Sequence, residues 1–97
     1  MITHVVSFRW KPGTTPEQIA AIAAGLNTLP AAVPSIRSYR HGADVGAGTG
    51  NFDYTIVATF DDVDGWRQYD EHPVHESVRT EIVRPHIAER AAVQFES

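Results

Sequence analysis

Alternation of apolar and polar side chains marks the beginning of the chain as a β-strand. One face of this segment carries Ile2, His4, Val6, Phe8 and Trp10. A period of two, with many β-branched and aromatic residues, predicts a strand over residues 2–10. Residues 11–13, Lys-Pro-Gly, then predict a turn.

Two later regions have apolar residues at helical spacing. In the first, Thr15 caps a helix that has Pro16 at its first position, and the spacing predicts a helix over residues 16–29. In the second, Asp61 or Asp62 caps a short helix that carries Val63, Trp66 and Tyr69. Because proline is tolerated at a first helical position, Pro73 predicts a separate helix over residues 73–84.

Three more segments are predicted to be strands, at residues 35–41, 54–60 and 91–96. The glycine-rich stretch 42–51 is predicted to be a flexible loop. The resulting order, β-α-β-β-α-α-β, is typical of a ferredoxin-like split β-α-β sandwich. We therefore expect a single α+β domain over residues 1–97, with an antiparallel sheet and its helices on one face.

The second face of the predicted sheet has a mixed character. It carries Val5 and Val57 among Thr3, Ser7, Thr55 and Thr59. A half-apolar face of this kind suits a second sheet packed against it in a homodimer. The alternative is a solvated face whose threonines reflect β-propensity alone. The pattern leaves both interpretations open.

Composition narrows the classes of partner and compartment. Eight basic and twelve acidic residues give a formal net charge of −4, which disfavours nucleic acid and anionic membranes as partners. The sequence has no cysteine, which excludes disulfides, thiolate metal sites and a cysteine nucleophile. The N-terminus follows a strand pattern rather than a signal-peptide pattern, so we expect a cytoplasmic protein.

Four sequence motifs resemble the stress-responsive dimeric α/β-barrel (Dabb) family. They are His4-x-Val6-x-Phe8-x-x-Lys11, Pro34-x-Ile36 followed by Gly42-x-Asp44, Thr59-Phe60-Asp61, and Tyr69-x-x-His72-Pro73-x-His75. They occur in the order in which the family has them. The resemblance implies a ferredoxin-like subunit whose sheet pairs with that of a second subunit, as a homodimeric α/β barrel.

The resemblance also implies a site. A plant polyketide cyclase of this family closes a ring by aldol condensation without metal or organic cofactor, and its acid–base positions match Tyr69 and His75, with a further pocket histidine matching His4. Histidine suits the base, because its ordinary pKa of about 6.5 lies near working pH, and a tyrosine hydroxyl suits the donor. The strand and helix faces that meet in the core predict a lining of Val6, Phe8, Ile22, Leu26, Ile56 and Val78.

Structural roles compete with catalysis for the same residues. His72 precedes Pro73 at a natural helix junction, where a capping role is expected. Tyr69 could be a core aromatic, His4 a hydrogen-bonded core histidine, and His75 a packing residue. His72, His75 and His86 could cluster, but no metal-ligand spacing such as HExxH is present, so neither a metal site nor another cofactor is predicted.

Two functions remain after these comparisons. The first is a homodimer that binds a small hydrophobic or aromatic molecule in a cavity between helices and sheet. The second is a cofactor-free, polyketide cyclase-like enzyme that uses Tyr69 and His75. The plant cyclase has aromatic residues where this chain has Ile22, Ala23 and Leu26, so we expect a cavity of different shape and do not transfer its substrate.

Overall fold

A computed structural model describes all residues, 1–97, as a four-stranded antiparallel sheet covered on one face by helices. The strands are β1 (Ile2–Trp10), β2 (Ser38–Ala43), β3 (Tyr54–Phe60) and β4 (Ile87–Glu96). The α-helices are α1 (Pro16–Asn27), α2 (Leu29–Ala32), α3 (Val63–Glu71) and α4 (Pro73–Ser77). The strand order is β2-β3-β1-β4, which confirms the predicted α+β ferredoxin-like arrangement.

The two central strands follow the alternation that predicted them. β1 and β3 pair antiparallel, with Val6 opposite Ile56 and Phe8 opposite Tyr54. Alternate residues of both strands are buried, because they face the helices. This buried side is the inner face of the sheet, and the opposite side is its outer face. No helix is long and apolar enough to span a bilayer.

The first helix ends two residues earlier than predicted. Thr15 caps it, and the side chain of Gln18 accepts a hydrogen bond from the backbone N–H of Thr15, which completes a capping box. Pro30 has no N–H to donate to the carbonyl of Leu26, so the α-helical ladder cannot continue. A separate short helix, α2, follows at Leu29–Ala32, which the sequence analysis missed.

The two edge strands have different bounds from those predicted. β2 begins at Ser38 rather than at residue 35, because the N–H of Ile36 bonds the carbonyl of Val33 in a turn. It extends to Ala43, so the first residues of the predicted loop belong to the strand. β4 begins at Ile87 rather than at residue 91, because β1 is long enough to pair with it along its whole length.

The helix predicted over residues 73–84 is divided into three segments. After α4, residues Val78–Val83 form a π-helical turn, followed by a 3₁₀ turn at Arg84–His86. The N–H of Arg84 donates to the carbonyl of Arg79, five residues earlier, which is the hydrogen bond of a π-helix. The wider turn brings residues five apart onto one side, so Val78 and Val83 are both buried.

Candidate functional site

A cavity of about 100 Å³ lies between the inner face of the sheet and the helices. Eight of the nine residues predicted for the site line it: His4, Val6, Phe8, Leu26, Ile56, Tyr69, His75 and Val78. The ninth, Ile22, is fully buried in the adjoining core and does not line the cavity. The strand alternation and the helix periodicity therefore bring nearly the whole predicted set together.

Seven further residues line the cavity and were missing from the prediction. They are Trp66, Asp70, Arg79, Val83, Arg84, Ile87 and Arg90. Most of them belong to the π turn, the 3₁₀ turn or the early part of β4, which are the segments that the sequence analysis assigned differently. Trp66 and Asp70, on α3, are the exceptions. The helical spacing of Trp66 from Tyr69 already places Trp66 on the same side of that helix.

His75 is held by stacking and by one hydrogen bond. It lies on α4, and its ring stacks on that of Tyr69 with centroids 4.0 Å apart. Its Nδ1 lies 3.1 Å from the carbonyl oxygen of Asp70, which can only accept, so Nδ1 carries the proton. Burial lowers the pKa of His75 and keeps the ring neutral at pH 7. Its Nε2 is therefore an unprotonated base.

His4 has the opposite tautomer. Its Nδ1 lies 3.0 Å from the side-chain amide nitrogen of Gln94, which is a donor, so Nδ1 accepts. The proton of the neutral ring is then on Nε2. Burial, assisted by the positive charge of Arg90, lowers the pKa of His4 to about 4. The cavity thus contains one neutral histidine that accepts at Nε2 and another that donates there.

The hydroxyl of Tyr69 is already paired with a second tyrosine. Tyr69 is 2% exposed, and its hydroxyl oxygen lies 2.9 Å from that of Tyr39 on β2. Burial raises the pKa of both hydroxyls, so both keep their protons. When Tyr39 donates, the proton of Tyr69 is free for a ligand. No sequence spacing indicates this pairing, because Tyr39 lies on another element.

The polar side of the cavity is rich in arginine. Arg79 is neutralised, because it pairs with the carboxylate of Asp70 at 2.9 Å and also with Glu76. Arg84 and Arg90 line the same cavity, and neither forms a salt bridge. Two uncompensated positive charges therefore lie at this site, although the chain as a whole has a net charge of −4.

The remaining histidines do not join the site. The Nδ1 of His72 accepts the N–H of Val74 at 3.1 Å, which makes His72 the cap of α4. His86 does not line the cavity. No group of three or more histidine and carboxylate side chains is arranged to hold a metal ion. The candidate functional groups of the site are therefore its two buried histidines, Tyr69 and the arginines.

Comparison with solved structures shows where this architecture recurs. A dimeric ferredoxin-like protein of unknown function from Thermobifida fusca YX is 42% identical, with a TM-score of 0.92, covering 99% of this chain and 90% of that one. A dimeric protein of unknown function from Bacteroides fragilis is 23% identical, with a TM-score of 0.86, covering 99% and 95%. A hydroxynitrile lyase from Passiflora edulis is 20% identical, with a TM-score of 0.84, covering 97% and 90%.

The sequence comparisons identify the family. No curated protein matches the chain. The profile of the stress-responsive A/B barrel domain matches residues 2–97, which is nearly the full length. The resemblance in the four motifs is confirmed by this match, and the 42% identical protein shares the fold over 99% of the chain. The chain belongs to the stress-responsive A/B barrel (Dabb) family.

Proposed function

We propose that this protein binds a small hydrophobic or aromatic molecule in the cavity between its helices and sheet. The observation that carries this proposal is an apolar cavity into which two buried, neutral histidines are built. Burying a polar group costs free energy unless it is paired. A small ligand with a polar end would offer these histidines partners while its apolar part contacts the walls.

The volume of the cavity limits the size of this ligand. A cavity of about 150 Å³ in another protein encloses benzene, whereas this one measures about 100 Å³. One small ring or a short branched chain is therefore the upper limit of what the cavity encloses, and any longer part must extend through the opening. Val6, Phe8 and Leu26 are among the residues that form its apolar walls.

Binding can be tested by calorimetry with single-ring and branched-chain molecules, on the wild type and on a variant with a filled cavity. Val78→Phe adds an aromatic ring at the wall and should abolish binding. Val74→Phe makes the same exchange at an exposed position of α4, 36% exposed, and should bind as the wild type does. Unchanged binding by a folded Val78→Phe variant would place the ligand elsewhere.

The outer face of the sheet supports a homodimer, which we include in the proposal. Three valines, Val57, Val5 and Val93, lie side by side across β3, β1 and β4. Val93 is 61% exposed and Phe95, on the same face, is 48% exposed. Relatives with this fold are described as dimeric. A second copy packed through this face would remove these side chains from water.

The dimer is tested by the oligomeric state of Val93→Lys in sedimentation equilibrium. A lysine buried between two sheets would be desolvated without a partner, so the dimer dissociation constant should rise by about 100-fold or more. Val74→Lys, on the helical side of the molecule, is the control and should remain dimeric. If Val93→Lys dimerises like the wild type, the outer face is solvated.

A second function, acid–base catalysis on the bound molecule, is favoured by the complementary tautomers of the histidines. The Nε2 of His75 could remove a proton from a carbon beside a carbonyl group, as aldol-type ring closure requires. The Nε2–H of His4, or the hydroxyl of Tyr69, could donate to the enolate oxygen that forms. Both Tyr69 and His75 line the same cavity and are buried, which such an enzyme requires.

Catalysis can be tested with short linear polyketides by following ring closure with the wild type, His75→Gln and His72→Asn. Removal of a general base should slow the reaction by about 100-fold or more. His72→Asn is the matched control, because it replaces a histidine outside the cavity and preserves the helix cap. Equal rates for the wild type and His75→Gln would remove His75 from the mechanism.

A further inference from the structure

The polar groups around the cavity are almost all hydrogen-bond donors. The indole N–H of Trp66 and the Nε–H of Arg79 are buried and have no hydrogen-bond partner. The tautomer of His4 presents a third N–H, at Nε2. A buried donor without a partner costs free energy, so this arrangement favours a ligand that supplies acceptors.

The charges at the cavity also favour a ligand that supplies acceptors. Its only carboxylate, on Asp70, is occupied by Arg79. Arg84, in the 3₁₀ turn, and Arg90, on β4, have no carboxylate within salt-bridge distance. Arg90 is opposite Phe8 in the ladder, which places it on the inner face of the sheet. The two free guanidinium groups therefore lie on the side of the ligand rather than of the proposed dimer interface.

We infer that the ligand carries a carboxylate, which Arg84 and Arg90 bind at the cavity while its small apolar part occupies the space beside Phe8. Guanidinium groups match carboxylate oxygens in charge and in planar geometry. This inference rests on the proposed function, since it specifies the chemistry of the molecule bound at the same site. A phosphoryl group is the alternative anion for the same arginines, and a phosphonate probe distinguishes it from a carboxylate.

The experiment compares acids with their amides, which are nearly equal in size and uncharged. Benzoate and 3-methylbutanoate are titrated against benzamide and 3-methylbutanamide by calorimetry at low ionic strength, and phenylphosphonate tests the phosphoryl alternative. The proteins are the wild type, Arg84→Gln, Arg90→Gln and the cavity-filled Val78→Phe. Arg67→Gln is the matched control, because Arg67 is an exposed arginine on α3 that pairs only with Asp64.

The inference predicts that the acids bind about tenfold or more tightly than the amides. Each of Arg84→Gln and Arg90→Gln should weaken the acids by about tenfold and leave the amides unchanged, while Arg67→Gln has no effect. Raising the ionic strength from ~0.01 M to ~0.15 M should also weaken only the acids, because these arginines are partly in solvent.

Different outcomes would contradict the carboxylate and the proposed binding function. If acids and amides bind equally, and only Val78→Phe abolishes binding, the carboxylate is refuted and the proposed binding function stands. Tighter binding of phenylphosphonate than of benzoate, lost in the arginine variants, would assign a phosphoryl ligand instead. If none of the probes binds, both the inference and the proposed binding of a small ring or short branched chain are overturned.

Discussion

The two faces of one sheet differ in almost every property. On the inner face, Val6, Ile56 and Phe60 are each no more than 4% exposed, and His4 among them is buried and neutral. On the outer face, valines alternate with threonines, and Val93 and Phe95 remain accessible. The same strands thus carry a closed core with a cavity on one side and an open apolar surface on the other, as the period of two allows.

The largest expected difference is in the free energy of unfolding lost when Phe60, on the inner face, or Phe95, on the outer face, is replaced by alanine. Phe60 is 0% exposed on the inner face, so Phe60→Ala should lower the free energy of unfolding by about 4 kcal/mol through lost burial and a new cavity. Phe95 is 48% exposed on the outer face, so Phe95→Ala should cost only about 1 kcal/mol. Both are measured by denaturant unfolding in the Val93→Lys background, in which the proposed dimer is dissociated, because a dimer would cover Phe95 and increase the cost of its removal. Equal losses would contradict the distinction between the faces.

The second prediction concerns the dependence of stability on pH. His4 has a pKa of about 4 when folded and about 6.5 when unfolded, so between these values the unfolded chain binds more protons. Stability should therefore fall as pH decreases through this range, by about 2 kcal/mol for His4 once solvent screening is included. Removing the titrating group in His4→Gln should flatten the curve by that amount, as followed by denaturant unfolding from pH 7 to pH 4.

The neighbouring position on the outer face supplies the control for this effect. Thr3→Gln introduces the same amide side chain beside His4, but on the opposite face of β1. Its stability should keep the slope of the wild type, because no titrating group is removed. The neutral state assigned to His4 would be wrong if the wild type and His4→Gln lost the same free energy on acidification.

The smallest expected effect is on the free energy of unfolding when one of two hydroxyl–hydroxyl hydrogen bonds is removed. The two bonds are similar in length and lie on opposite faces of the sheet. Tyr39 and Tyr69 pair at 2.9 Å on the inner face, and Ser7 and Thr55 pair at 3.0 Å on the outer face. Tyr39→Phe should cost about 1 kcal/mol, because the buried hydroxyl of Tyr69 loses its partner. In the Val93→Lys background, in which the proposed dimer is dissociated, Ser7→Ala should cost about 0.5 kcal/mol or less, because water reaches the outer face and replaces the lost bond. Thermal unfolding measures both, and a larger loss for Ser7→Ala would indicate that the outer face is buried.

The sequence predicted those parts of the molecule in which local pattern and tertiary environment agree. β1 and β3 follow strict alternation, and their inner residues His4, Val6 and Ile56 line the cavity as expected. The beginning of β4 could not be found in this way, because residues 87–90 have no alternation of their own and are ordered by pairing with β1. The prediction failed where the partner strand, rather than the local pattern, determines the structure.

The arginines of the site were missed for a related reason. Arg84 and Arg90 belong to different elements, and they reach one cavity only because the chain turns between them. Arginines are usually exposed at the surface. No sequence spacing predicts that these two lie close together. Tyr39 was missed in the same way, since its partner Tyr69 is 30 residues away along the chain. Pairings between elements become visible only after the elements have been assembled.

The π turn at Val78–Val83 accommodates one extra residue in the segment that forms a wall of the cavity. A regular α-helix of the same length would advance each later side chain to a different angle around the axis, so Val83 and Arg84 would turn away from Val78. Deleting a single residue within the turn, such as Thr80, should convert it to a regular α-helical turn and leave Val78 and Val83 four residues apart, still on the same side. Among proteins of this architecture, a difference of one residue here could therefore be accommodated by exchanging a π turn for an α turn, with the cavity wall retained.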